Sequence, residues 1–297
     1  MKHKGLVIAF VIVALLGFSF IAGMFACFFL NGDVGTGFFS GRAVGVIEVT
    51  GPIITSKEII EEIEKIREDD SIKSVVLRVD SPGGAVAASQ EIFEAVTELK
   101  KDKPVIASMG TVAASGGYYV SCAATEIFAS SGTTTGSIGV RLEHLNIGEL
   151  MKWAKFDQET IKSGKLKNMF AINKPLSSEA KVVLQSLVDE IHTQFEKIVS
   201  ESRQLSDEKV KEISDGRIFT GSMALKLGLI DHLGGFVSAV KRAGELGGID
   251  GYPKLVYPKK RRGIVERLFA EAKVLLYESR LDVAENLQPM LLQMSSN

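Results

Sequence analysis

The stretch Ser74-Val75-Val76-Leu77-Arg78-Val79, running straight into Asp80-Ser81-Pro82-Gly83-Gly84, decides the fold. Its apolar residues stand next to one another instead of alternating with polar ones. β-branched residues favour extended backbone, and a run that is apolar on both faces marks a strand buried on both sides. Pro82 fixes φ in the turn, and the glycine pair permits a tight bend with uncovered N–H groups. An amphipathic helix is expected next, over residues 88–100. Strand, glycine turn and helix make up most of a βαβ unit, and such units gather ligand-binding groups at the carboxyl ends of their strands. The plain alternative for residues 80–84 is an ordinary strand-to-helix turn.

The same alternation continues on either side. Residues 44–49 form an apolar run closed by Gly51-Pro52, and Ile59, Ile60, Ile63 and Ile66 recur at helical spacing within residues 58–67. Further strands are expected at 105–108, 127–129 and 137–140, with a turn at Gly110 and a strand-like stretch at 156–161. Helices are expected at 147–155, 178–203 and 236–246. This order predicts an α/β domain, a parallel sheet covered by helices.

A second glycine-rich element, Ala113-Ala114-Ser115-Gly116-Gly117-Tyr118-Tyr119, follows the strand at 105–108. Small neighbours leave the Ser115 hydroxyl uncovered. If a helix starts there, its dipole favours negative charge beside the serine, and the Gly116 N–H can face an oxyanion. A serine helix cap is the plain alternative, but a cap does not call for Gly-Gly after it, because glycine weakens a helix.

A serine nucleophile needs a base. The chain has four histidines, His3, His144, His192 and His232, and only His144 lies near Ser115 in chain order. A lysine made neutral by burial is the other option. Lys162, Lys165 and Lys167 cluster in Lys162-Ser163-Gly164-Lys165-Leu166-Lys167-Asn168, and spacing does not choose among them. Two Ser-x-x-Lys matches, Ser178 to Lys181 and Ser206 to Lys209, read as helix caps. No Gly-x-Ser-x-Gly elbow, phosphate loop or metal-ligand spacing is present.

The ends of the chain differ from this middle. Residues 5–30 carry no charge, and Ser19 is their one polar side chain. As a helix they would be about 39 Å long, against a hydrocarbon core of about 30 Å. Lys2, His3 and Lys4 precede the run, so residues 1–4 are expected in the cytoplasm and the rest of the chain outside. The run is too long for a cleaved signal peptide, and Met24-Phe25 suit a lipoprotein cleavage at Cys27 poorly. Residues 31–42, rich in glycine, read as a linker to a domain at 43–257. Residues 258–262, Pro-Lys-Lys-Arg-Arg, open a basic hinge and an amphipathic segment that runs to 297. The hinge is a solvated linker or a contact with anionic lipid.

Whole-chain composition limits the function classes. With 297 residues, 45% hydrophobic, 24% charged and a formal net charge of −1, the chain is neither disordered nor a polybasic nucleic-acid binder. Two cysteines, Cys27 and Cys122, exclude a disulfide scaffold and a tetrathiolate zinc site.

Together these motifs resemble the signal peptide peptidase A family of membrane-anchored serine proteases, in its short bacterial form. The matching pieces stand in family order over about residues 43–245. They are residues 78–84 and 113–119 above, then Thr135-Gly136-Ser137-Ile138-Gly139-Val140, Asn146-Ile147-Gly148-Glu149-Leu150, residues 161–167, Gly216-Arg217-Ile218-Phe219-Thr220-Gly221 and Gly228-Leu229-Ile230-Asp231. The resemblance implies a Clp protease/crotonase-like fold. It implies Ser115 as nucleophile, Lys167 as general base, Ser137 orienting that lysine, and the Gly84 and Gly116 N–H groups as oxyanion donors, with no metal or cofactor. Asn168 stands where the family usually has aspartate. The resemblance also implies remnant signal peptides as substrates and a bacterial cytoplasmic membrane location, with the peptidase domain outside. In short members serine and lysine come from neighbouring protomers of a ring-like homo-oligomer, an octamer. Two rivals stand beside this reading: a Clp-like hydrolase that uses His144 as base, and a membrane-anchored scaffold without activity.

Overall fold

The computed structural model describes residues 42–258. The expected anchor at 5–30, the linker up to residue 41 and residues 259–297 of the C-terminal segment lie outside the described residues. Among the described residues no helix is long and apolar enough to cross a membrane.

The chain alternates strands and helices as its apolar spacing requires. Strand β1 (Ala43–Thr50) leads to helix α1 (Lys57–Glu68), β2 (Ile72–Ser81) to α2 (Val86–Asp102), and β3 (Val105–Ala114) to the short α3 (Gly116–Ser121). Strands β4 (Glu126–Ala129) and β5 (Thr134–Gly136) follow, then α4 (Gly148–Trp153), the long α5 (Ser178–Arg203) and α6 (Asp207–Ile213). Strand β6 (Ile218–Thr220), α7 (Gly221–Leu227), β7 (His232–Leu233), α8 (Phe236–Leu246) and β8 (Lys254–Val256) complete the series.

All eight strands join one sheet, in which β6-β5-β3-β2-β1-β8 run side by side while β4 bridges β3 and β7. Every pairing is parallel except β5 with β6. The sheet is therefore mixed α/β, with β2 and β3 at its centre. Period-two alternation explains its two cores. Val75, Leu77 and Val79 point to the larger core with Ile63, Ile92, Val96 and Tyr118, and Val76 points the other way with Ile106, Ala239 and Val240. Each such side chain, fully buried, contributes about 1.5–3 kcal/mol.

Several boundaries depart from the expectation. Strand β3 runs on through Gly110, where a turn was expected. A side chain at Gly110 would collide with Asp80, whose Oδ1 accepts the Val112 N–H at 3.0 Å, so the close approach of β2 explains the glycine. Residues 137–140 are irregular, and the strand lies just before them as β5. Residues 156–161 are irregular too, with Phe156 71% and Ile161 97% exposed, because no neighbouring strand meets their apolar side chains. The capping serine of α5 is Ser177, one residue before Ser178, and its side chain accepts the Ala180 N–H at 3.1 Å. Ser206 caps α6 as its spacing suggests.

Helix α5 is tied down at its own C-terminal end. Arg203, 9% exposed, makes a two-pronged ion pair with Asp231 at 2.6 and 3.0 Å. Asp231 Oδ2 also accepts the Ile127 N–H at 2.7 Å, and Tyr118 on α3 donates to the Leu229 carbonyl at 2.9 Å. A buried ion pair holds geometry only where its remaining bonding groups are met, as they are here. The result fixes α3, and with it the residue that precedes it.

Candidate active site

That residue is Ser115, at the junction of β3 and α3. Its backbone has φ 52° and ψ −122°, in the left-handed half of φ that an L-residue with a side chain avoids. Such a conformation costs about 1–3 kcal/mol and persists only where the surroundings impose it. Here the Ser115 N–H is held by the Gly136 carbonyl at 2.8 Å, and its own carbonyl accepts the Tyr119 N–H at 2.9 Å. The hydroxyl does not cap α3, so the plain reading of Ser115 as a helix cap fails. The geometry is that of a strained strand-to-helix elbow, reached without the Gly-x-Ser-x-Gly pattern.

Two glycines beside Ser115 are explained by what lies against them. A side chain at Gly116 would come within 2.5 Å of Ser89 Oγ, and one at Gly84 within 2.1 Å of the Ile53 carbonyl oxygen. The turn at residues 82–85 is pinned to residue 53 by two bonds, Ile53 N–H to Gly83 O at 2.9 Å and Ala85 N–H to Ile53 O at 2.7 Å. The two glycine turns thus pack against one another. Among the described residues, neither the Gly84 N–H nor the Gly116 N–H has an acceptor in the protein. Two free donors beside an uncovered hydroxyl are what an oxyanion requires.

Gly84, Ser115 and Gly116 line one cavity with Val86, Tyr119, Ile191 and Phe195. Tyr119 is one of its walls, with ring centroids 5.2 Å from Phe93 and 5.1 Å from Phe195. Ser137 follows Gly136, the residue that pairs with Ala114, so it sits beside the elbow without lining the cavity. It also has positive φ, 51°, and its N–H donates to the Arg217 carbonyl at 2.8 Å.

The expected bases are not brought into this cavity within one chain. Lys167 is exposed on the irregular segment between α4 and α5. The three clustered lysines are nevertheless distinguishable. Lys162 donates to the Lys165 carbonyl at 2.6 Å and to Asn168 Oδ1 at 2.7 Å, and Lys165 pairs with Glu179. The Lys167 ammonium has no partner among the described residues. His144 lies outside the cavity, its Nε2 3.1 Å from the Lys174 carbonyl oxygen. His192 lies along α5 near Glu196, and His232 contacts Glu126 at 3.0 Å. Among the described residues no group of His, Cys, Asp and Glu side chains is placed to hold a metal.

Sequence reasoning missed two features. The strained φ of Ser115 and Ser137 leaves no trace in residue type. Ile191 and Phe195 stand four apart on α5, a spacing that announces a buried helix face but not that the face ends at Ser115.

The model of peptidase family S49 matches residues 97–250, and a Clp protease model matches residues 45–133. A putative protease of Synechocystis is 40% identical over 211 residues, 70% of this chain and 76% of that protein. A putative signal peptide peptidase SppA of Enterococcus faecium is 39% identical over 176 residues, 59% of this chain and 51% of that one. The chloroplastic serine protease SPPA of Arabidopsis thaliana is 36% identical over 200 residues, 67% of this chain and 30% of that one. The match thus spans about half of the second relative and less than a third of the third.

Proposed function

The chain belongs to peptidase family S49 and is a serine protease, and from that premise we propose that Ser115 is its nucleophile and Lys167 its general base. Neutral Lys167 takes the proton from Ser115 Oγ as that oxygen attacks a peptide carbonyl. The tetrahedral oxyanion lies against the Gly84 and Gly116 N–H groups. The C–N bond then breaks, the leaving amine takes the proton from Lys167, and the acyl group stays on Ser115 until water repeats the sequence. Ser137, beside the elbow, orients the lysine. The observation that carries this reading is the strained Ser115, with its hydroxyl uncapped and two unengaged N–H groups beside it.

Lys167 reaches this serine from a neighbouring copy. Its own segment and the end of α4 that leads into it expose Trp153 (81%), Phe156 and Ile161, side chains that are ordinarily covered. A second copy would cover them and complete the site in a homo-oligomeric ring, an octamer in the form the family resemblance implies. Residues 5–30 anchor the chain in a bacterial cytoplasmic membrane, with residues 1–4 inside and the peptidase domain outside. That position suits remnant signal peptides, which lie in the bilayer, as substrates.

Hydrolysis of a fluorogenic peptide by the full chain in detergent tests the roles. Ser115→Ala is expected to lower kcat by about 10⁴-fold or more and to abolish labelling by a fluorophosphonate. Lys167→Ala is expected to lower kcat by about 10²- to 10⁴-fold. Full activity in either variant refutes the assignment.

A further inference from the structure

We infer that a second cavity, lined by Arg78 on the other face of the sheet, binds a carboxylate carried on a small molecule or at the C-terminus of a short peptide. Arg78 stands two residues after Val76 on β2 and so points with it toward α8, away from Tyr119 and Phe195. The two cavities share no lining residue.

Sheet topology opens this cavity. Strand β3 pairs with β4 through Ser108 and with β5 from Val112, so residues 109–111 lie where one neighbour ends and the next begins. Residues 130–133 cross that gap, and the Thr133 hydroxyl donates to the Gly110 carbonyl at 2.8 Å. The cavity has a volume of about 370 Å³, within the range of small-molecule sites.

Charge decides the ligand class. Arg78 is half-buried. Its Nη1 donates to Ser108 Oγ at 3.0 Å and to the Met109 carbonyl at 3.1 Å, and its guanidinium carbon lies 5.7 Å from the centre of the Phe236 ring. These contacts fix the group without neutralising it. Among the described residues no carboxylate pairs with Arg78, and its Nε and Nη2 have no acceptor. The lining contains no acidic residue. Asp80, the next acid along this face of β2, lies against Gly110 and accepts the Val112 N–H. A half-buried cation without a counter-ion is costly, and an anion in the cavity offsets that cost. Nε and Nη2 form one edge of a planar fork that matches the two oxygens of a carboxylate. One guanidinium, with no second cation in the lining, balances the single charge of a carboxylate better than the larger charge of a phosphate. The hydroxyls of Thr111 and Ser130, unbonded among the described residues, are further donors in the same lining. Peptide hydrolysis makes a new C-terminal carboxylate at each turnover, so the protein's own reaction yields this chemistry.

The test uses the full Ser115→Ala chain in detergent and a trialanine peptide with a fluorophore on its N-terminus, followed by fluorescence anisotropy. The free acid should bind at least about tenfold more tightly than its C-terminal amide. Arg78→Gln should weaken binding of the acid by about tenfold or more, and Arg78→Lys, which keeps the charge but not the fork, should weaken it less. Arg78 lines no part of the Ser115 cavity, so peptide bound there would not respond to these changes. If the Arg78 variants do not fold, the exposed Thr111→Val decides, with a loss of about threefold expected. Competition separates the two sources: displacement by acetate means that the carboxylate alone is read, and resistance to it means that the peptide end is read, and either supports the inference. Equal binding of acid and amide, displacement by phosphate at a lower concentration than acetate, or unchanged affinity in a folded variant overturns it. A Ser115→Ala chain that still cleaves peptides would fail the nucleophile assignment and leave this inference standing.

Discussion

The turn around Ser115 and the segment that carries Lys167 are built on opposite principles. The first lies at the carboxyl end of β3, between central strands, with Ser115 held by backbone bonds on both sides and backed by the Tyr119–Phe195 contact. The second, between α4 and α5, is largely irregular and exposes side chains that a folded chain normally buries. One region can store strain because its surroundings are complete. The other has no complete surroundings within one copy. A nucleophile and its oxyanion donors need fixed geometry, whereas a base that arrives from another copy needs only a surface on which to dock. On this account, catalysis is switched on by assembly.

The contrast can be broken most directly at the docking surface. Charging the second region and the adjoining end of α4 with Trp153→Glu plus Phe156→Glu should favour single chains and lower peptide hydrolysis by about tenfold or more, since exposed aromatic anchors carry much of an interface's energy. Thermal unfolding of the peptidase domain should barely change, because neither side chain belongs to its core. Retained assembly and retained activity would show that this surface serves something else.

A smaller effect tests the strain in the first region. Ser115→Gly removes the nucleophile but also relieves the positive φ, so it should stabilise the domain by about 1 kcal/mol relative to Ser115→Ala. For a domain of this size that is a rise in Tm of about 2–4 °C. Equal Tm values for the two variants would mean that Ser115 is not strained.

The first region also carries a pH dependence, felt only at alkaline pH. Burial pushes the Cys122 thiol up from 9.0 to about 12, and burial raises the neighbouring Tyr118 hydroxyl too. An acid whose pKa rises on folding gives stability that is complete below its unfolded value and lost as pH climbs through its folded one. Urea midpoints should therefore fall between about pH 9 and about 12, and Cys122→Ala should flatten that fall. A slope unchanged by the substitution would assign the loss to other groups.

Much of this architecture is legible in the residues. The valine-rich runs of β1, β2 and β3 and the periodic faces of α2, α5 and α8 follow directly from apolar spacing. The two glycine turns announce unusual backbone and uncovered donors. Other features depend on tertiary contact. Gly110 reads as a turn because the carboxylate of Asp80 that excludes a side chain there comes from another strand. Residues 156–161 have strand-like composition but no strand to pair with, so composition misleads. Lys162, Lys165 and Lys167 are equivalent in sequence. They separate only when Glu179 and Asn168 engage the first two and leave Lys167 free among the described residues.

The most direct test of the claim that serine and lysine come from different copies is a mixing experiment. Full-length Ser115→Ala and Lys167→Ala chains, each inactive alone, are co-assembled in equal amounts and assayed on one peptide. If each site pairs the serine of one copy with the lysine of the next, about a quarter of the sites regain both groups, and activity returns to about a quarter of wild type. If the mixed assemblies form and remain inactive, both groups act within one copy and the account is contradicted.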